Sequence, residues 1–188
     1  MPYALDPWLG KPTWKQRVGR FTLGYRFETS FEPVVMAKLK VEINTREHFS
    51  VHGFAERDFE VNSPWFSGGA QLTTYDLSEL LGTKLRALYQ RKKGRDLFDL
   101  WLGLKQTETS VDDLLSSFAV YMDFAGTRAS RAQFEANMDA KMRDDVFLTD
   151  LEPLLRPALK FDNHEAWQQV HKQIVSQLPG EPLKGREP

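Results

Sequence analysis

The residues able to do chemistry concentrate in two places. In the run LLGTKLRALYQRKKGRDLFDLW, Leu80 to Trp101, Lys84 interrupts an apolar stripe, and Arg95, Asp96 and Asp99 follow as Arg-Asp-x-x-Asp. At ~100° per residue, Leu77, Leu80, Leu81, Leu85 and Leu88 share one helix face, and Lys84 points almost along its centre. An ammonium aimed at a core is costly unless it meets a carboxylate or an anionic ligand, so the pattern predicts a polar pocket beneath this helix. A lysine at the edge of the stripe, carrying its ammonium out to water, fits the same periodicity. Asp96 and Asp99 fall within ~60° of one another on their helix, with Arg95 four residues before Asp99. A surface ion pair worth ~0–1 kcal/mol has the same spacing. The second place is Lys40, Glu42 and Asn44, which share the polar side of an alternating run that either faces water or lines a cleft.

Other chemistries have little support. The chain has no cysteine, which excludes disulfide scaffolds, thiolate zinc sites and thiol nucleophiles. Of the four histidines, His48 and His52 lie four apart in an extended-looking segment, while His164 and His171 read as helix surface; none is assigned a role. A net charge of -1 and a pI near 6.4 argue against a general electrostatic grip on nucleic acid. A local basic run exists nonetheless, with Lys84, Arg86, Arg91, Lys92, Lys93 and Arg95 inside twelve residues and no acidic residue among them. It reads as a solvated helix end or as a binding patch. No apolar run is long enough for a bilayer and no leader opens the chain, so the expectation is a soluble, cytoplasmic protein without membrane contact.

These side chains need elements to hold them. Arg20 to Glu28 alternates, with Phe21, Leu23, Tyr25 and Phe27 on one side, and Lys38 to Asn44 alternates again with Leu39, Val41 and Ile43 inward; the two are expected to pair as an antiparallel hairpin. Further strands are expected near Phe49 to Val51 and Phe59 to Val61, with Ser63-Pro64 and Gly68-Gly69 marking loops. From Thr74 the period becomes helical. Asp76 with Glu79 reads as a capping box ahead of the leucine stripe, Gly94 as its end, and a second helix from Arg95 buries Leu97, Leu100, Trp101 and Leu104. Ser110 with Asp113, Ser130 with Gln133 and Asp162 with Glu165 give the same start signal, predicting helices at 111–124, 131–143 and 163–178, with a short, proline-broken one through Leu151 to Leu159. The organisation expected is a β-rich part at 1–75, a helical domain at 76–178 and a disordered tail at 179–188.

The segment TTYDLSELLGTKLRALYQRKKGRDLFDLW, preceded by LKVEIN, resembles the AbiEii/AbiGii-type nucleotidyltransferase toxins of bacterial abortive-infection toxin-antitoxin systems, which act in phage defence. The likeness covers Lys40 to Glu42, the Lys84-x-x-Ala87 helix and the Arg95-Asp96-x-x-Asp99 helix, and continues from about Leu5 to Leu104. It implies an α+β fold in which a partial nucleotidyltransferase-like mixed β-sheet precedes a C-terminal helical domain. It also implies a reaction that moves a nucleotide from a nucleoside triphosphate (NTP), held with Mg2+, to an acceptor such as RNA (tRNA), and a cognate antitoxin as partner. By the resemblance Glu42 is a metal-site carboxylate, and Lys84 and Lys40 lie on the nucleotide side. Asp96 and Asp99 belong to the last motif, as base or positioning group, with Arg95 holding the geometry. The chain departs from the family pattern before Lys40, where members carry a glycine turn and an Asp-x-Asp strand. Asp6-Pro7-Trp8 has a single aspartate, and Asp58-Phe59-Glu60 has acidic spacing without the turn. The expectation is therefore an N-terminally incomplete and inactive transferase, or alternatively a non-catalytic remnant that binds RNA or antitoxin through the basic run.

Overall fold

The structure, a computed structural model, describes residues 5–64, 66–106, 109–156 and 159–185. The chain divides into two compact units, Met1–Phe49 and Ser50–Pro188.

In the first unit the alternating runs form the expected strands. A short helix α1 (Asp6–Leu9) precedes β1 (Thr13–Arg17), β2 (Arg20–Glu28) and β3 (Met36–Asn44), ordered β1-β2-β3 with both pairings antiparallel. Val18 and Gly19 make the tight β1–β2 connection, and Gly19 takes a φ of 77°, where a side chain is disfavoured. In register, Lys15 stands opposite Thr22 and Thr22 opposite Glu42, which sends those three side chains to the same face. The opposite face buries Leu23 and Tyr25 against Leu9 of α1, and the Tyr25 hydroxyl donates to Asp6 Oδ1 at 3.1 Å. Leu39 and Ile43 share that apolar side of β3 yet remain more than a third exposed.

The second unit opens with an antiparallel hairpin, β4 (Phe54–Asn62) and β5 (Ser67–Tyr75), and continues through α2 (Leu77–Gln90), α3 (Gly94–Gln106), α4 (Val111–Phe124), α5 (Arg131–Lys141), α6 (Asp145–Thr149) and α7 (Asn163–Gln173). Short 3-10 turns lie at Glu152–Leu154 and Val175–Gln177. The leucine stripe works as its spacing implies: Leu81, Leu85 and Leu88 of α2 meet Leu97 and Leu100 of α3, Leu114 and Phe118 of α4, Phe134 and Met138 of α5 and Val170 of α7 in one core. Each fully buried leucine there is worth ~2–5 kcal/mol against alanine. At Gly82 a Cβ would lie 2.7 Å from the Leu114 carbonyl oxygen, so glycine lets α2 and α4 approach closely. The fold is α+β, a β region followed by helices, as expected.

Several boundaries differ from the sequence expectation for physical reasons. Phe49 to Val51 forms no strand; the Ser50 hydroxyl and the Val51 N–H donate to Glu79 instead. Gly68 and Gly69 lie inside β5 rather than in a loop; the Phe66 ring folds over Gly68, where a Cβ would come within 2.8 Å of it. Gly94 does not end α2 but opens α3, where a Cβ would strike the Phe147 carbonyl oxygen. Helix α4 matches its expected bounds, and the Ser130 and Gln133 capping box of α5 is complete. Helix α7 stops at Gln173 and passes into a 3-10 turn. Of the helix expected over Leu151 to Leu159, the structure has the 3-10 turn, while Pro157 and Ala158 lie outside the described residues. Beyond it, the Arg131 N–H donates to the Pro179 carbonyl at 2.9 Å and the Leu183 N–H to Glu135 Oε2 at 2.6 Å. Among the described residues no helix is long and apolar enough to cross a membrane.

Candidate functional site

Helices α2 and α3 place Lys84 against Asp99, with Nζ 2.6 Å from Oδ2 and both side chains somewhat more than a third exposed. The ammonium leaves the leucine stripe sideways and meets a carboxylate of the next helix at the edge of the core. Both alternatives drawn from the periodicity thus hold in part: the charge is paired, and it reaches water.

The connection between the two helices carries a second, tighter pair. Arg91 Nε and Nη2 each lie 2.6 Å from an oxygen of Asp96, a two-pronged arrangement that leaves the carboxylate fully buried and the guanidinium half exposed. These bonds, donated by Arg91 to Asp96, raise the affinity of Arg91 for its proton against the opposing effect of burial. Buried Lys141 of α5 donates to the Leu88 and Tyr89 carbonyls at the end of α2, where groups without helical partners accumulate. Burial pushes its pKa down to about 8, although the charge of Asp96 pulls it the other way.

Arg95 does not pair with Asp99. Its backbone N–H donates to Asp150 Oδ2 at 3.4 Å, its Nε lies 3.9 Å from the same oxygen, and Lys93 Nζ reaches Asp150 Oδ1 at 3.1 Å. Asp150 therefore sits at the N-terminal turn of α3, where a helix favours negative charge. Burial works against its ionisation, but the bonds from Lys93 and Arg95 hold its carboxyl below the ordinary range. Lys92 reaches Asp144 at 2.7 Å and is the main cause of that carboxyl's lowered pKa. Arg86 lies over the Tyr121 ring, 5.0 Å from its centroid. Every residue of the basic run thus has a partner inside its own unit, which removes most of its free positive field.

Glu42 and Lys40 belong to the first unit, on the polar face of the three-stranded sheet. Glu42 Oε1 lies 3.1 Å from both Lys40 Nζ and Arg20 Nη1. The Lys40 hydrogen bond is the main reason its carboxyl titrates below the ordinary range. This pair lines a shallow depression with Lys15, Arg17, Arg20 and Thr22. Magnesium prefers several hard oxygen ligands. Among the described residues no three His, Asp or Glu side chains are grouped to hold a metal, and Glu42 is ringed by cations. These residues do not fit the ion.

Sequence spacing drew attention to Lys84, Asp96 and Asp99, which the α2–α3 pair brings into one neighbourhood, but it did not point to Asp144, Asp150 or Lys141. The two aspartates come from more than fifty residues away and leave no local trace. Lys141 did leave one. Phe134, Met138 and Lys141 fall on one helical face, the same signal of an inward lysine that was read at Lys84.

Residues 4–184 match the family described as nucleotidyl transferase AbiEii toxin, type IV TA system. No curated protein and no solved structure matches the chain.

Proposed function

Because the chain belongs to the AbiEii nucleotidyl transferase toxin family of type IV toxin-antitoxin systems, we propose that it is the toxin of such a pair and that Lys84 of α2 is its contact to the phosphates of a bound nucleoside triphosphate. Membership implies an NTP substrate and an antitoxin partner. The acceptor in this reading is RNA, and the setting is abortive infection in the cytoplasm.

The observation that carries the assignment is the half-exposed Lys84–Asp99 pair between adjacent helices. A pair this exposed contributes only ~0–1 kcal/mol to stability, so stability is a poor reason for it. A phosphate oxygen competes with Asp99 for the ammonium, and a phosphate that takes Lys84 frees Asp99 Oδ2. In the transfer, an acceptor hydroxyl oxygen bonds the α-phosphorus, the bond from that phosphorus to the pyrophosphate oxygen breaks, and the hydroxyl proton needs a base. The freed carboxylate of Asp99 is the group proposed to take it. Asp96 has both oxygens engaged by Arg91, so its proposed role is to position the α2–α3 connection. Arg95, tied to Asp150, shares that positioning role. No step is assigned to Glu42 or to magnesium.

A second reading has a specific observation in its favour. The carboxylate of Glu42 is held between Lys40 and Arg20 rather than beside other acids, which suits a chain that binds RNA or antitoxin without catalysis. Calorimetric titration of an NTP with magnesium into the chain and into Lys84→Ala separates the readings. Binding that is present in the wild type and lost in the variant supports the transferase. Absence of binding in both overturns it in favour of the non-catalytic reading.

A further inference from the structure

Among the described residues, unpaired positive charge gathers on the β1-β2-β3 sheet and not on the basic helix run. The register sends Thr13, Lys15 and Arg17 of β1, Arg20, Thr22, Arg26 and Glu28 of β2, and Lys38, Lys40, Glu42 and Asn44 of β3 to one face. Six of these are cations and two are carboxylates, and all eight charged side chains are exposed. Glu42 is already shared between Lys40 and Arg20. Among the described residues, Lys15, Arg17, Arg26 and Lys38 make no side-chain hydrogen bond or ion pair. Residues 1–49 hold eight Lys and Arg against five Asp and Glu, a net +3 in a chain whose total is -1. The imbalance is therefore local to this sheet.

We propose that this sheet face docks the sugar-phosphate backbone of RNA. From Arg20 to Arg26 the track runs ~20 Å along β2, enough for roughly six nucleotides at the rise of one helical strand. Its lining separates phosphate contact from other modes. No aromatic residue lies on this face, so bases have nothing to stack on and binding is indifferent to sequence. Of the exposed apolar side chains on the strands, which an anionic membrane surface would take, Trp14, Leu39 and Ile43 project from the opposite face, and Met36, opposite Glu28 at one end, stands on this one. The choice of RNA rests on the acceptor proposed above, whereas the cationic track does not.

The test uses the full chain without NTP or metal. A fluorescein-labelled single-stranded RNA of about 20 nucleotides, longer than the ~six-nucleotide track, is titrated by anisotropy across a potassium chloride series. The wild type is expected to bind, with affinity falling linearly on a log–log plot against salt. The double variants Lys15→Gln/Arg17→Gln and Arg26→Gln/Lys38→Gln, at opposite ends of the track, are each expected to lower that slope by about 1.4. Lys172→Gln, which removes an exposed lysine of α7, is expected to leave it unchanged. Lys84→Ala is expected to keep RNA binding while losing the NTP, which separates this inference from the transferase reading. No RNA binding by the wild type overturns the proposal, as do track variants that bind like the wild type. Binding to phosphatidylserine vesicles but not to RNA overturns it in favour of a membrane surface.

Discussion

Arg91 and Asp96 are bound through two parallel contacts of 2.6 Å, yet one partner is half in water and the other wholly out of it. The pair is therefore asymmetric under mutation. Arg91→Ala leaves a buried carboxylate without its main counter-charge and is expected to cost ~3–5 kcal/mol. Asp96→Asn leaves a guanidinium that can turn to solvent and is expected to cost ~1–2 kcal/mol. Urea unfolding of both variants measures the difference, and equal losses would contradict the burial asymmetry.

Lys84→Ala is expected to change stability by less than ~1 kcal/mol, because its pair with Asp99 is more than a third exposed. If the same variant loses nucleotide binding, the lysine serves the ligand and not the fold. A large drop in melting temperature would reverse that conclusion.

Lys141 gives the molecule an alkaline signature. Its pKa in the folded protein is about 8, below the ordinary 10.5, because burial disfavours the charged form. Between those two values the unfolded chain binds more protons at this site than the folded one, so this group's contribution to stability rises with pH across that window. The size is roughly 1.4 kcal/mol for each pKa unit of displacement. In Lys141→Met the rise is expected to vanish when denaturant midpoints are followed from pH 7 to pH 10.

Glu135 gives the opposite signature in acid. Burial opposes its ionisation, but the Leu183 N–H, His171 and Arg131 bind the carboxylate strongly enough to hold its pKa at about 2, below the ordinary 4.5. A depressed carboxyl contributes stability above its unfolded pKa and loses it as pH falls through the folded one. The wild type is thus expected to weaken between pH 4.5 and pH 2 more steeply than Glu135→Gln. The variant keeps one acceptor oxygen where the carboxylate offered two to Arg131, His171 and Leu183, so the anchor of Leu183 weakens and limited proteolysis after Pro179 is expected to quicken at neutral pH.

How much of this was legible in the sequence depended on whether the signal was local. The alternation in Arg20 to Glu28 and the Ser110 and Ser130 caps involve neighbours along the chain, and strand β2 and helix α4 fall where those signals put them. Lys84 was visible because a charge inside an apolar stripe is improbable. Its partner Asp99 was visible as a residue but not as a partner, since nothing in the spacing says how α2 and α3 cross. The partner of Arg95 was hidden for the same reason: its i+4 neighbour was in view, and Asp150, 55 residues away, was not. Gly68 and Gly94 misled because glycine marks a turn and a close approach with the same letter. The cationic sheet face lay in plain sight as Lys15, Arg17, Arg26 and Lys38, but only the strand register puts them on one side.

Glu79 was read as half of a capping box. Asp76 does cap α2 through the Ser78 N–H, but the Glu79 carboxylate turns away to accept bonds from the Val51 and His52 N–H groups, the Ser50 hydroxyl and the Tyr121 hydroxyl of α4. A segment with no regular secondary structure is thereby fastened to the middle of the helical core. Its two amide protons are held by a carboxylate that is itself fully buried, so in deuterium exchange Val51 and His52 are expected to exchange more slowly than loop amides that face water. The irregular start of this unit is tied to its core through one side chain.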